Sequence, residues 1–92
     1  MKLELRFFAT FREAVGQKTL VREVSADVTV GEVLRDLEAE YPDLEGQLFE
    51  DGDLKSQVKV LKNGREVMHL DGLETRFEEG DALAVFPPVA GG

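Results

Sequence analysis

At 92 residues, with 42% hydrophobic and 33% charged side chains, the chain has the size and composition of one folded domain, 1–92, rather than a disordered segment. Its 19 acidic against 11 basic residues give a formal charge of −8, which repels phosphate backbones and anionic membrane surfaces, so nucleic acid is not an expected partner and the carboxylates suit a basic docking surface instead. The absence of cysteine excludes disulfides, a thiolate nucleophile and a zinc–cysteine site, and no apolar run approaches the length of a signal segment or a membrane span, so a cytoplasmic location without membrane contact is expected.

Lys2 to Phe8 alternates as a strand, with Leu3, Leu5 and Phe7 on one face and Lys2, Glu4, Arg6 and Phe8 on the other. Phe8 is an aromatic residue on a charged face, which fits plain surface, a core edge or an apolar docking patch. Thr10-Phe11-Arg12-Glu13 has capping-box spacing and Gly16 stands where a left-handed C-cap would end a short helical turn. Thr19 to Val24 reads as a second strand, antiparallel to the first, with Leu20, Arg22 and Val24 sharing a face.

The strongest pattern follows. Thr29-Val30-Gly31-Glu32 is a second capping box, and Val30, Val33, Leu34, Leu37 and Tyr41 keep the spacing of one helical face until Pro42 ends it. Arg35, Asp36, Glu38 and Glu40 are expected to face water. Leu44 and Leu48 suit another helical turn, and Glu50-Asp51-Gly52-Asp53 reads as an acidic loop without the ligand series of a calcium site. Asn63-Gly64 between Gln57–Lys62 and Arg65–Met68 predicts a hairpin with a type I′ turn. Leu73 and Phe77 are expected to plug the core, and Glu79-Gly80-Asp81 turns the chain into a last strand, Ala82 to Phe86.

That strand places Leu83 and Val85 on one face and Ala82, Ala84 and Phe86 on the other. Pro87 and Pro88 stop it, because proline lacks the ladder N–H and fixes φ, and they stiffen the exit of a tail, 87–92, that ends Val89-Ala90-Gly91-Gly92. No catalytic constellation competes with that tail. His69 is the sole histidine and is expected at the surface, no metal-ligand spacing occurs, and the remaining reactive group is the Gly92 carboxylate. A carboxylate is a poor acyl donor until it becomes a mixed anhydride, which implies an ATP-dependent partner.

The run from Gly80-Asp81 through Pro-Pro-Val to the diglycine, together with Phe7-Phe8-Ala9, Arg12-Glu13, Thr29-Val30 and Asn63-Gly64, resembles the ubiquitin-like sulfur carriers, namely the small subunit of molybdopterin synthase and the small archaeal modifier proteins. The resemblance implies an α+β β-grasp fold: a mixed sheet of four to five strands crossed by one main helix, its first and last strands parallel at the centre, with a flexible diglycine tail. It implies no catalysis by the chain itself and no permanently bound cofactor. ATP and AMP enter through an E1-like adenylating enzyme that acts on Gly92, with Gly91 before it. The activated end then becomes a thiocarboxylate for molybdopterin biosynthesis or an isopeptide on target-protein lysines. Phe8, Arg12 and Phe86 fall where the small subunit meets the synthase large subunit and the activating enzyme, and Pro87, Pro88 and Val89 are assigned to the same interface. The alternatives are a dedicated synthase small subunit without conjugation, and a binding module with an idle tail.

Overall fold

A computed structural model describes residues 1–88; the expectations for Val89, Gly91 and Gly92 lie outside the described residues. Strand alternation buries Leu3, Leu5 and Phe7 of β1 (Lys2–Phe7), and β2 (Thr19–Glu23) pairs with it antiparallel, Leu20 opposite Leu5. The helix α2 (Val30–Glu40) covers the buried face. Its start is a complete capping box, in which the Thr29 hydroxyl accepts from the Glu32 N–H and the Glu32 carboxylate accepts from the Thr29 N–H, both at 3.3 Å. Val30, Val33, Leu34 and Leu37 are buried, each stabilising the packing of helix on sheet by roughly 1.5–3 kcal/mol. Tyr41 is the half-buried C-cap, and Pro42 opens a 3-10 turn that carries Leu44 into the core.

The last strand, β7 (Ala82–Phe86), enters the middle of the sheet, parallel to β1 and antiparallel to β5 (Lys59–Lys62), which continues to β6 (Arg65–Glu66). The resulting order, β2-β1-β7-β5-β6, is a five-stranded mixed sheet with the first and last strands of the chain at its heart. Asn63 at φ 50° and Gly64 at φ 84° form the positive-φ turn expected between β5 and β6. Phe77 is buried and Leu73 packs against the core, as their expected plugging role requires.

Four local expectations are corrected. The helix α1 (Ala9–Val15) starts at Phe8 without any side-chain cap, so Thr10 lies inside its first turn rather than capping it. The reason is a sharp corner: Ala9 at φ 51° swings the chain off β1, and the Phe8 carbonyl takes up the N–H groups of Phe11 and Arg12. Gly16 does end the helix in the left-handed conformation, at φ 83°. The acidic run 50–53 is the turn of a second hairpin, β3 (Phe49–Glu50) with β4 (Asp53–Leu54), in which Asp51 and Gly52 both have positive φ. Glu38 does not simply face water, since its carboxylate accepts from the Leu48 N–H at 3.1 Å and holds the chain that follows Pro42. The second strand of the 63–64 hairpin ends at Glu66, where Val67 drops into the core through a 3-10 turn.

Candidate docking face and tail root

One face of the sheet carries the helix; the other is open. Because Phe7 pairs with Val85 and both point into the core, the next residues of the two parallel strands, Phe8 and Phe86, lie side by side on the open face. Their rings stack, with centroids 4.2 Å apart and planes 10° from parallel. Each is half-buried, so the pair belongs neither to the core nor to freely exposed surface. The strained corner at Ala9 serves this arrangement: it lets the chain leave β1 immediately after Phe8 has been set on the sheet.

From this stack an apolar stripe runs along the sheet. Ala84 lies between Arg6 and Leu61, and Ala82 lies beside Glu4, so small side chains form a shallow floor bounded by Leu61. Sequence reasoning missed Leu61; the alternation of Lys59, Val60 and Leu61, with Val60 buried, was the signal that places it on the open face. The rim is charged but nearly balanced, with Arg6 on Glu4 and Lys59 on Glu66 at 3.3 Å. Arg12 is exposed on α1, four residues after Phe8, and pairs with none of the strands that form the stripe. The structure therefore unites Phe8 and Phe86 and leaves Arg12 at the margin.

The root of the tail is built more firmly than expected. Pro87 is buried: it extends the inward series Leu83, Val85, so it belongs to the body and is not a surface contact. Pro88 is exposed and shares a shallow groove with Glu50, Lys55, Ser56 and Gln57. The other end of β7 is pinned by the buried Asp81, which accepts from the Glu78 N–H at 2.7 Å and the Asn63 amide at 2.8 Å, while the Asn63 side-chain oxygen accepts from the Ala82 N–H at 3.0 Å. Asn63 thus shapes its own turn and aligns the last strand.

His69 is exposed beside Glu66, and no group of three or more potential metal ligands gathers among the described residues. No helix among them is long and apolar enough to cross a membrane. The clearest electrostatic feature, Arg22 of β2 against Glu40 of α2, is architectural. Two bonds of 2.6 Å join them, the hydrogen bond from Arg22 lowers the Glu40 carboxyl pKa, and the bond to Glu40 raises that of Arg22 against the opposing effect of burial.

The chain is similar to known proteins along its whole length. The chain is 66% identical over all of its 92 residues, and over the whole of the relative, to small archaeal modifier protein 3 of Haloferax volcanii. It is 36% identical over 90 residues to the molybdopterin synthase sulfur carrier subunit of Escherichia coli, covering 98% of this chain and 99% of that one. The crystal structure of small archaeal modifier protein 1 of Haloferax volcanii superposes with a TM-score of 0.84 at 35% identity, each chain covered in full. The family model described as the ThiS family matches residues 5–92, and the chain is a β-grasp, ubiquitin-like member of that family, homologous to the small archaeal modifiers and the sulfur carriers.

Proposed function

We propose that the chain is a protein modifier and sulfur carrier whose working group is the Gly92 carboxylate. The observation that carries this reading is the construction of β7, which is locked between β1 and β5, pinned by Asp81 before it and by buried Pro87 after it, with the diglycine following in sequence. An E1-like enzyme joins AMP to the Gly92 carboxylate, with pyrophosphate released from ATP. Attack by a sulfur donor displaces AMP and leaves a thiocarboxylate; attack by a lysine amine of a target displaces it with an isopeptide. The chain contributes presentation rather than catalysis. Phe8, Phe86, Ala84 and Leu61 offer an apolar surface beside the root of the tail, suited to the activating enzyme and to a synthase large subunit.

The test is intact-mass analysis and conjugate mapping in cells with and without the E1-like enzyme. Replacement of one oxygen by sulfur at Gly92 supports the carrier role, and branched peptides support the modifier role. The last tryptic site is Arg76, so the remnant on a modified lysine is the whole stretch 77–92 rather than a bare Gly-Gly. Neither product in the presence of the enzyme and ATP would leave a binding module with an idle tail.

A further inference from the structure

The far edge of the sheet is unclaimed by this reading. β2 is an edge strand, and its ladder shows which of its backbone groups point outward. The Phe7 N–H donates to the Lys18 carbonyl and the Val24 N–H to the Met1 carbonyl, so the alternating antiparallel pattern turns Leu20 and Arg22 toward β1 as well. The N–H and C=O groups of Thr19, Val21 and Glu23 therefore face away from the sheet. Val21 is 63% exposed on the open face, among the most exposed large apolar side chains of the described residues. No proline stands in 19–23, and its ladder to β1 runs through five successive pairs without a bulge.

Beside this edge, between β2 and α2, lies a cavity of about 100 Å³. Its lining is mostly aliphatic, formed by Leu5, Val24, Val33 and Leu37, with Asp36 of α2 beside them. The Glu23 carboxylate lies on the open face of the same edge, exposed and 3.7 Å from the Met1 ammonium. Arg22 also lines the cavity, but its guanidinium is engaged by Glu40 and Tyr41. A free edge and a pocket for an aliphatic side chain are the parts of a strand-addition site, and the carboxylates of Asp36 beside the pocket and Glu23 on the edge add negative charge around it.

We propose that β2 docks an extended basic–aliphatic segment of another protein, which adds a sixth strand to the sheet, sets an aliphatic side chain in the cavity and places lysine or arginine against Glu23 and Asp36. Charge selects this occupant over a second copy of the chain, since each copy carries −8. The site lies across the sheet from β5 and β6 and needs no activation of Gly92, so a partner can be held here while the tail is handled elsewhere.

The probe is the peptide acetyl-Lys-Val-Lys-Ile-Lys-Val-Lys-amide, titrated into the full chain and followed by amide NMR. The Thr19, Val21 and Glu23 N–H groups should shift and gain at least about tenfold protection from exchange. Val21→Pro removes one outward N–H at an edge position that tolerates proline, and should weaken binding about tenfold or more. Asp36→Lys, at an exposed helix position, should weaken it several-fold with the fold intact. Replacing every lysine of the peptide by glutamate should abolish binding, whereas deletion of Gly91 and Gly92 should leave it unchanged. The proposal is overturned by equal binding of the glutamate peptide, by shifts confined to the Phe8, Phe86 and Leu61 face, by no response at millimolar peptide, or by a dimer formed through the β2 amides.

Discussion

Substituting Phe86 by Asp tests whether the aromatic stack is a docking feature or part of the core. A fully buried phenylalanine loses roughly 3–5 kcal/mol on truncation. Phe86 is half-buried, which leaves about 1 kcal/mol of burial, and its stack on Phe8 contributes about 1 more. The expected loss is therefore about 2 kcal/mol, with unfolding lowered by about 8–16 °C for a domain of this size. Urea denaturation measures the loss, and a cycle with Phe8→Ala and Phe86→Ala isolates the stacking component at about 0.5–1.5 kcal/mol. Titration against the activating enzyme should show docking weakened at least tenfold, equivalent to about 1.4 kcal/mol. A stability loss of 3 kcal/mol or more together with unaltered docking would refute the reasoning, because it would make Phe86 a core residue.

Deleting Gly91 and Gly92 should abolish ATP-dependent adenylation while leaving the unfolding temperature essentially unchanged, since the shortened end falls about 7 Å of extended chain from its required place; a truncated chain adenylated at the normal rate would remove the tail from the mechanism. Thr29→Ala should cost about 1 kcal/mol in urea denaturation by breaking the capping box of α2. Glu40→Gln should remove at most about 1 kcal/mol at pH 7, because both partners of the Arg22 pair are substantially exposed to solvent. The folded-state pKa of Glu40 is depressed by its bond to Arg22, so its contribution is present above the ordinary carboxylate range and is lost as pH falls from that range through the lower folded value; denaturation midpoints of the two chains should draw together as pH falls below the ordinary range.

Periodicity made most of the body legible. The capping box at Thr29, the helical spacing through Leu37 and the positive-φ signal of Asn63-Gly64 each act over a few neighbouring residues, so local sequence determines them. The same logic applied to Asp51-Gly52 would have revealed the second hairpin, whose signal was masked by the acidic composition around it. What sequence could not display were pairings set by tertiary packing. Phe8 caps α1 through its backbone, which no side-chain motif records, and Glu38 is recruited by a loop ten residues away. Pro87 looked like the first residue of the tail because proline ends a ladder, yet the inward alternation of β7 still carries it into the body. The parallel pairing of β1 with β7 came from family resemblance alone, since hydrophobic alternation carries no information about which strand lies beside which.

The central position of β7 also decides how the molecule bears force. β7 pairs with β1 over four residues and with β5 over four, and the tail follows it in the sequence. Ladder hydrogen bonds lie across the strand axis, so a pull on the tail along β7 loads both ladders in shear and asks many bonds to fail together. A pull applied through β6, at the sheet edge, peels its short ladder one bond at a time. Single-molecule extension from Lys2 to the tail should accordingly need a higher rupture force than extension through Arg65, and equal forces would contradict the shear geometry. Were the proposed isopeptide formed, this domain would be a knot in a rope rather than a loose thread: an unfolding motor hauling on the target would load β7 in shear.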